Sequence, residues 1–218
     1  ILRGIEDFLE ECKQLAASEL EASVEDLEYH QGNFQVKGTR VGIGIFDLCS
    51  RQSDNSISVK RKKELTGRSW PNGCHVAEVE IDAETGEVRL DRYVSVDDVG
   101  NTVNPMIVHG QVQGGIASGL GQAVLERTEY DASGQLLSGS YMDYALPRAD
   151  DMPSLSGSLF EKAPCLTNPL GAKGTGEIGA VAGPPAIVHA VIDALAEKGI
   201  TQVDMPLQPQ KIWECLNR

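Results

Sequence analysis

Aromatic residues are scarce in this chain, 5% of 218 residues, and histidine occurs only four times. His30, His75, His109 and His189 are too dispersed to form an obvious metal-ligand set. Cys12, Cys49, Cys74, Cys165 and Cys215 include no C-x-x-C pair. An odd, scattered set of cysteines argues against a disulfide framework and points to a reducing compartment, the cytoplasm. No apolar run approaches ~18 residues, which excludes a membrane-spanning helix. Positive charge is also in deficit. Against 32 Asp+Glu there are 19 Lys+Arg, and the resulting −13 at pH 7 repels phosphate backbones and anionic lipid. Nucleic acid and membrane surfaces are therefore excluded as partners. In so acidic a chain the run Lys60-Arg61-Lys62-Lys63 fits a solvated loop better than an anion patch. No G-x-S-x-G elbow supports serine nucleophile chemistry.

What is present is enough for a folded core, with 41% hydrophobic residues. Glycine is in excess: 23 residues, against a typical ~7%, much of it between Gly100 and Gly183. Close backbone approach to a ligand is one use for such a bias. The chain opens in helix, ILRGIEDFLEECKQL, without an initiating Met, as expected of a piece of something longer.

Ile1, Ile5, Phe8, Cys12, Leu15 and Ala16 recur at three and four residues, predicting an amphipathic helix through about Leu20. A short hairpin about Gln31-Gly32 follows, and the signal weakens from Val41 to Ser69. Residues 75–98 read as a β-hairpin about a DAETGE turn, with Ala77, Val79, Ile81, Val88, Leu90, Val94 and Val96 on the buried face. Over 106–126 the pattern predicts a helix on which Gly110, Gly114, Ser118 and Gly121 form a side-chain-free stripe. Two readings of that stripe stand open: another element packs there, or a ligand approaches the backbone. A second hairpin about Ser133-Gly134 would link Thr128–Tyr130 to a strand over Leu136–Tyr144. The stretch after LPRADDMPSL reads as irregular. Pro184 and Pro185 suit the first turn of a helix that Gly199 ends, and a last helix starts near Pro209. The order predicts an α+β chain, mixed sheets with helices packed on them, and is open to a reading as two repeats of one hairpin and helix unit.

Gly174-Thr175-Gly176-Glu177-Ile178-Gly179 fits G-x-G-x-x-G, but the residues before it, APCLTNPLGAK, hold two prolines and no strand-like apolar run. A dinucleotide-binding fingerprint needs that strand, and a phosphate loop needs its lysine after the glycines, where Lys173 precedes them. What survives is a glycine-lined loop holding one carboxylate, Glu177. Enclosed and desolvated, such a group suits proton transfer; in a mobile surface loop it would be an ordinary glutamate. His109 beside Gly110-Gln111 fits a structural role, as does His189 on its helix, in a core or an interface.

Three segments resemble the molybdenum-binding subunit of the xanthine oxidase/aldehyde oxidase family of molybdenum hydroxylases, in the carbon-monoxide-dehydrogenase type. They are PNGCHVAEVEID…VDDVGNTVNPMIVHGQVQGGIASGLGQAVLE, GSYMDYALPRADDMPSL, and TNPLGAKGTGEIGAVAGPPAIVHAVIDAL. The likeness covers about residues 71–195, in the family's order and spacing, and reaches more weakly back to residue 1. It implies the C-terminal lobe of a longer subunit, with residues 1–70 as a helix, hairpin and variable loop and 71–218 as a molybdopterin-binding core. The implied cofactor is molybdenum on a pterin dithiolene, in bacteria usually extended as a cytosine dinucleotide. Because the dithiolene holds the metal, no protein ligand set is implied. Glu177 matches the glutamate that takes a proton from water-derived hydroxide as its oxygen attacks an electron-poor carbon. Gly110, Gln111, Lys173, Gly174, Thr175 and Gly176 match positions that contact the pterin or its nucleotide tail. Gly176 is expected in a backbone conformation, or at a distance from the pterin, that no β-carbon tolerates. The implied partners are the N-terminal lobe of the same subunit, 2Fe–2S and FAD subunits or domains, and a small-molecule substrate. Alone, the piece should self-associate through the face the missing lobe would cover. A cofactor-free scaffold of the same ancestry is the alternative.

Overall fold

A computed structural model describes residues 1–62 and 67–217. The chain forms two compact units, Ile1–Leu65 and Thr66–Arg218, each mixing helices with a small sheet as the α+β reading expects.

In the first unit, helix α1 (Leu2–Glu19) buries Cys12, Ala16 and Ala17 among Leu27, Phe34, Ile43 and Leu48. Its first turn stays outside, with Ile1 and Ile5 exposed. Gln31 and Gly32 join β1 (Leu27–His30) to β2 (Asn33–Val36), and both have positive φ, 46° and 87°. That is the twist a two-residue hairpin turn requires. After Val41 the weak signal hides a third strand, β3 (Gly42–Gly44), and a short helix, α2 (Ile45–Ser50). Two of the three β3 residues are glycine, so only Ile43 registers as apolar. Lys60, Arg61 and Lys62 are exposed and Arg61 pairs with Asp7, as a solvated segment would; Lys63 lies outside the described residues.

The second unit is built on the predicted hairpin, β4 (Asn72–Ile81) and β5 (Val88–Asp98). At its turn the Asp82 carboxylate accepts from the amides of Glu84 and Thr85 at 2.8 and 3.1 Å. Ala77, Val79 and Ile81 face inward as the alternation requires, but β5 changes frame. Glu78 pairs with Arg92 while Val79 pairs with Leu90, so Asp91 is an extra, bulged residue. Beyond it Tyr93, Ser95 and Asp97 turn inward, whereas Val94 and Val96 are 38% and 43% exposed. The expected burial of those two valines is thus reversed by one inserted residue.

Helix α3 (Pro105–Leu120) continues as a π-turn over Gly121–Leu125, close to the expected span. The hairpin about Ser133-Gly134 is reduced to its turn and one bridge, Tyr130 to Leu136. Asp131 holds the turn by accepting from Ser133 and Gln135, but Leu137, Tyr141 and Met142 are exposed with no sheet to join. Instead β6 (Ser154–Leu159) lies parallel to β5, in a stretch read as irregular because SLSGSL offers only two apolar residues.

Helix α4 (Ile178–Ala194) begins well before the prolines, so Pro184 and Pro185 fall in its interior, not its first turn. They remove the donors toward the Ala180 and Val181 carbonyls. Their place is explained by α3: a β-carbon on Gly119 would stand 2.8 Å from the Pro184 ring and 3.0 Å from Gly183 Cα. The packed stripe is therefore Gly115 and Gly119 against Gly179 and Gly183, and Gly110 and Gly114 meet nothing within 4 Å. Val112, Ile116 and Leu120 of α3 and Ile187 of α4 cover Leu90 and Tyr93. Each fully buried aliphatic stabilises by roughly 1.5–3 kcal/mol, which makes this layer the anchor of the unit. Gly199, at φ 73°, ends the turn after α4, and Ile212 of α5 (Pro209–Leu216) joins Val191, Leu195 and Leu207.

Candidate functional site

The end of β5 and the residues before α4 are laced together. Lys173 donates its amide to the Val99 carbonyl at 2.7 Å, and Asn101 donates to Gly171 at 2.9 Å. Gly100 and Gly171 face each other at φ 65° and 68°, and a β-carbon on Gly100 would fall 2.1 Å from the Gly171 carbonyl oxygen. Only glycine fits there. From this junction the chain runs through Gly174, Thr175 and Gly176 to Glu177, the N-cap residue of α4. On the facing helix Asn104 caps α3, accepting from the Ile107 amide at 3.3 Å.

Of the residues expected at a site, Lys173 through Glu177 form one continuous loop, and Gln111 joins it. The Gln111 Oε1 lies 3.4 Å from where a Gly176 β-carbon would stand. Gly110 is adjacent and open. Glu177 is exposed and its carboxylate has no hydrogen-bond partner among the described residues, so the expected enclosure is not provided by this chain. The loop stands at the surface, walled on one side by α3. Gly176 has no positive φ, so the expected backbone conformation closed to a β-carbon is not found. Lys173 reaches the strand end: its ammonium is 2.5 Å from Asp98 Oδ2, and both side chains are nearly buried, at 10% and 11% exposure.

Beside the loop a cavity of about 250 Å³ is lined by Val99, Thr102, Ile107, Val108, Lys173 and Thr175, among others. Thr175 Oγ1 is buried without a partner among the described residues, which costs free energy unless a ligand supplies one. In the segment leading to the loop, Cys165 Sγ lies 3.1 Å from Thr167 Oγ1. That hydrogen bond, reinforced by the Thr167 and Asn168 amides and the Lys173 charge, lowers the thiol below its ordinary range.

Sequence reasoning passed over His75. Its Nε2 is 2.9 Å from Asp97 Oδ1 and its Nδ1 2.9 Å from the Tyr93 hydroxyl, all inside the sheet–helix layer. Burial, and then the Asp97 charge, push the Tyr93 phenol well above its usual value. The alternation of β4 and the frame change in β5 were the only available signal. His109 is half-buried near Gly157, whereas His189 is exposed, not in a core.

The molybdopterin group fits this chain. The Thr175 hydroxyl is buried without a partner among the described residues, and at Gly110, Gly114 and Gly174 a β-carbon would meet nothing within 4 Å. Among the described residues no group of three His, Cys, Asp or Glu could hold a metal ion by itself.

The fold is that of a cofactor-binding domain of the molybdenum hydroxylases. The family described as molybdopterin cofactor-binding domain matches residues 1–153, and the chain belongs to it. It is 33% identical over 214 residues to the 6-hydroxypseudooxynicotine dehydrogenase complex subunit gamma of Paenarthrobacter nicotinovorans, covering 94% of this chain and 27% of that one. Identity to the carbon monoxide dehydrogenase large chain of Hydrogenophaga pseudoflava is 31% over 213 residues, with 94% and 26% covered. The solved structure of quinoline 2-oxidoreductase from Pseudomonas putida 86 superposes with a TM-score of 0.80 at 33% identity, over 99% of this chain and 29% of that one. The chain thus spans about a quarter of the length of the curated relatives it matches. No helix among the described residues is long and apolar enough to cross a membrane.

Proposed function

We propose that this chain is the C-terminal lobe of the large subunit of a molybdenum hydroxylase, an oxidoreductase that inserts water-derived oxygen into a small electron-poor substrate. The observation that carries the reading is the Thr175 hydroxyl, buried without a partner in the loop that ends at Glu177. When bound, the molybdenum–pterin group supplies the two-electron acceptor and the oxygen to be transferred. Gln111, Gly174, Thr175 and Gly176 bind and orient the pterin, with open Gly110 allowing close approach of its nucleotide tail, a cytosine dinucleotide. Glu177, without a competing protein partner, is the general base. Its enclosure comes from the N-terminal lobe of the same subunit, which covers the loop and excludes water. Electrons leave to 2Fe–2S and FAD partners, and the complex works in the cytoplasm, where its five free cysteines stay reduced.

Molybdenum and pterin analysis of the full-length subunit tests this. Stoichiometric molybdenum with pterin is the expected result. Their absence would favour a cofactor-free scaffold of the same ancestry.

A further inference from the structure

We infer that Lys173 is a positioning residue, not a cofactor ligand: through its ion pair with Asp98 it fixes where the loop 173–177 departs from the end of β5. The inference rests on the reading of that loop as a molybdopterin site.

Both charges are used on each other. Lys173 Nζ lies 2.5 Å from Asp98 Oδ2, and the other carboxylate oxygen accepts the Gly100 amide at 2.9 Å. At 10% and 11% exposure the two side chains are nearly buried against each other, and the Asp98 carboxylate is the hydrogen-bond partner of the ammonium among the described residues. An ammonium drawn off Asp98 toward a phosphate or a pterin would leave a buried carboxylate unpaired, which is costly.

The loop also needs such an anchor. Gly174, Thr175 and Gly176 make no backbone hydrogen bond among those described, and none of the glycines is locked by positive φ. Its start is held by Lys173, through the amide on Val99 and the ammonium on Asp98. Its end is held where Gly179 of α4 lies against α3.

Asp98 is itself immobile. Asp97, its neighbour, points into the core and is fixed at 2.9 Å by His75, which the Tyr93 hydroxyl also holds. The strand end is therefore pinned on both faces. The pull of Lys173 is transmitted from the rigid sheet to the loop, not the reverse. Burial disfavours the charged form of Asp98, but the Lys173 and Gly100 hydrogen bonds outweigh it and keep the carboxyl below its ordinary range.

The test uses the full-length subunit, first shown to hold stoichiometric molybdenum. Lys173→Met, Asp98→Asn, the double variant and Asp98→Glu are compared for molybdenum and pterin retained after gel filtration, with thermal melting as the fold control. The expected result is that each single charge removal weakens retention about 10–100-fold, the scale of outer-shell partners, and that the double variant is no worse than either. Asp98→Glu keeps the charge and the fold but displaces the ammonium, so it lowers retention with an unchanged melting temperature. Full retention in Asp98→Asn or Asp98→Glu while Lys173→Met loses the cofactor would make Lys173 a direct ligand and overturn the inference. Losses that multiply in the double variant would do the same. A wild-type subunit without molybdenum would instead bring down the cofactor reading itself.

Discussion

Gly179 lies directly against Val112: a β-carbon there would stand 2.3 Å from the Val112 carbonyl oxygen and 2.7 Å from the Ile116 amide nitrogen. Helices α3 and α4 are thus in backbone contact, and the start of α4 is set by that crossing.

Gly179→Ala should therefore destabilise the chain by roughly 1–3 kcal/mol, the usual scale of overpacking, whereas Gly114→Ala should not. Gly114 has nothing within 4 Å, and alanine is the better helix former. Urea unfolding of the two variants separates them. Equal stability would place the crossing elsewhere.

Glu177→Gln preserves shape but cannot accept the proton. In the full-length enzyme we expect molybdenum and pterin to be retained and turnover to fall by ~10²–10⁴, the range for a general base. Substrate affinity should change far less, because the lost step belongs to the transition state. Reductive single-turnover kinetics on metal-replete protein provide the measurement. Reduction at the wild-type rate would mean the base lies elsewhere.

Asp98 gives a pH signature. Its carboxyl is held below the ordinary range, so the folded state binds its proton less readily than the unfolded chain. The stability this contributes is complete above about pH 4, the unfolded carboxylate value, and is lost as pH falls through the lower folded value. The difference in unfolding free energy between wild type and Asp98→Asn should be level from pH 7 down to that point and shrink below it. A difference that grew on acidification would have the wrong sign.

Tyr93→Phe removes one of the two partners of His75 without changing the shape of the core. An unpaired buried imidazole nitrogen should cost about 1–3 kcal/mol, read as a lowered denaturant midpoint at constant slope. A neutral substitution would show that water replaces the hydroxyl.

The sequence made the fold legible wherever side chains carry the period. Helix α1, the Gln31-Gly32 and Asp82–Gly86 turns, and α3 follow from apolar spacing and turn chemistry. Where glycine and serine replace apolar residues, as in Gly42–Gly44 and Ser154–Leu159, the strands are held by backbone pairing alone and leave no pattern. Pro184 and Pro185 misled because their position in α4 is decided by the groove over Gly119, a tertiary fact. The loop of the site was visible as glycines around Glu177. Its anchor was not, since Asp98 and Lys173 lie far apart in sequence and meet only when the strand end and loop are laced together.

The extra residue in β5 bears on how relatives of this chain are compared. Asp91 divides the strand into two frames, Val88 and Leu90 before it and Tyr93, Ser95 and Asp97 after it. An alignment gap slid by a single position within 88–98 would exchange inside for outside in the second frame and equate Asp97, the partner of His75, with a solvent-facing valine. A relative lacking the insertion would present the opposite set of side chains to α3 and α4, so transfer of residue roles across this strand depends on where that one residue is placed.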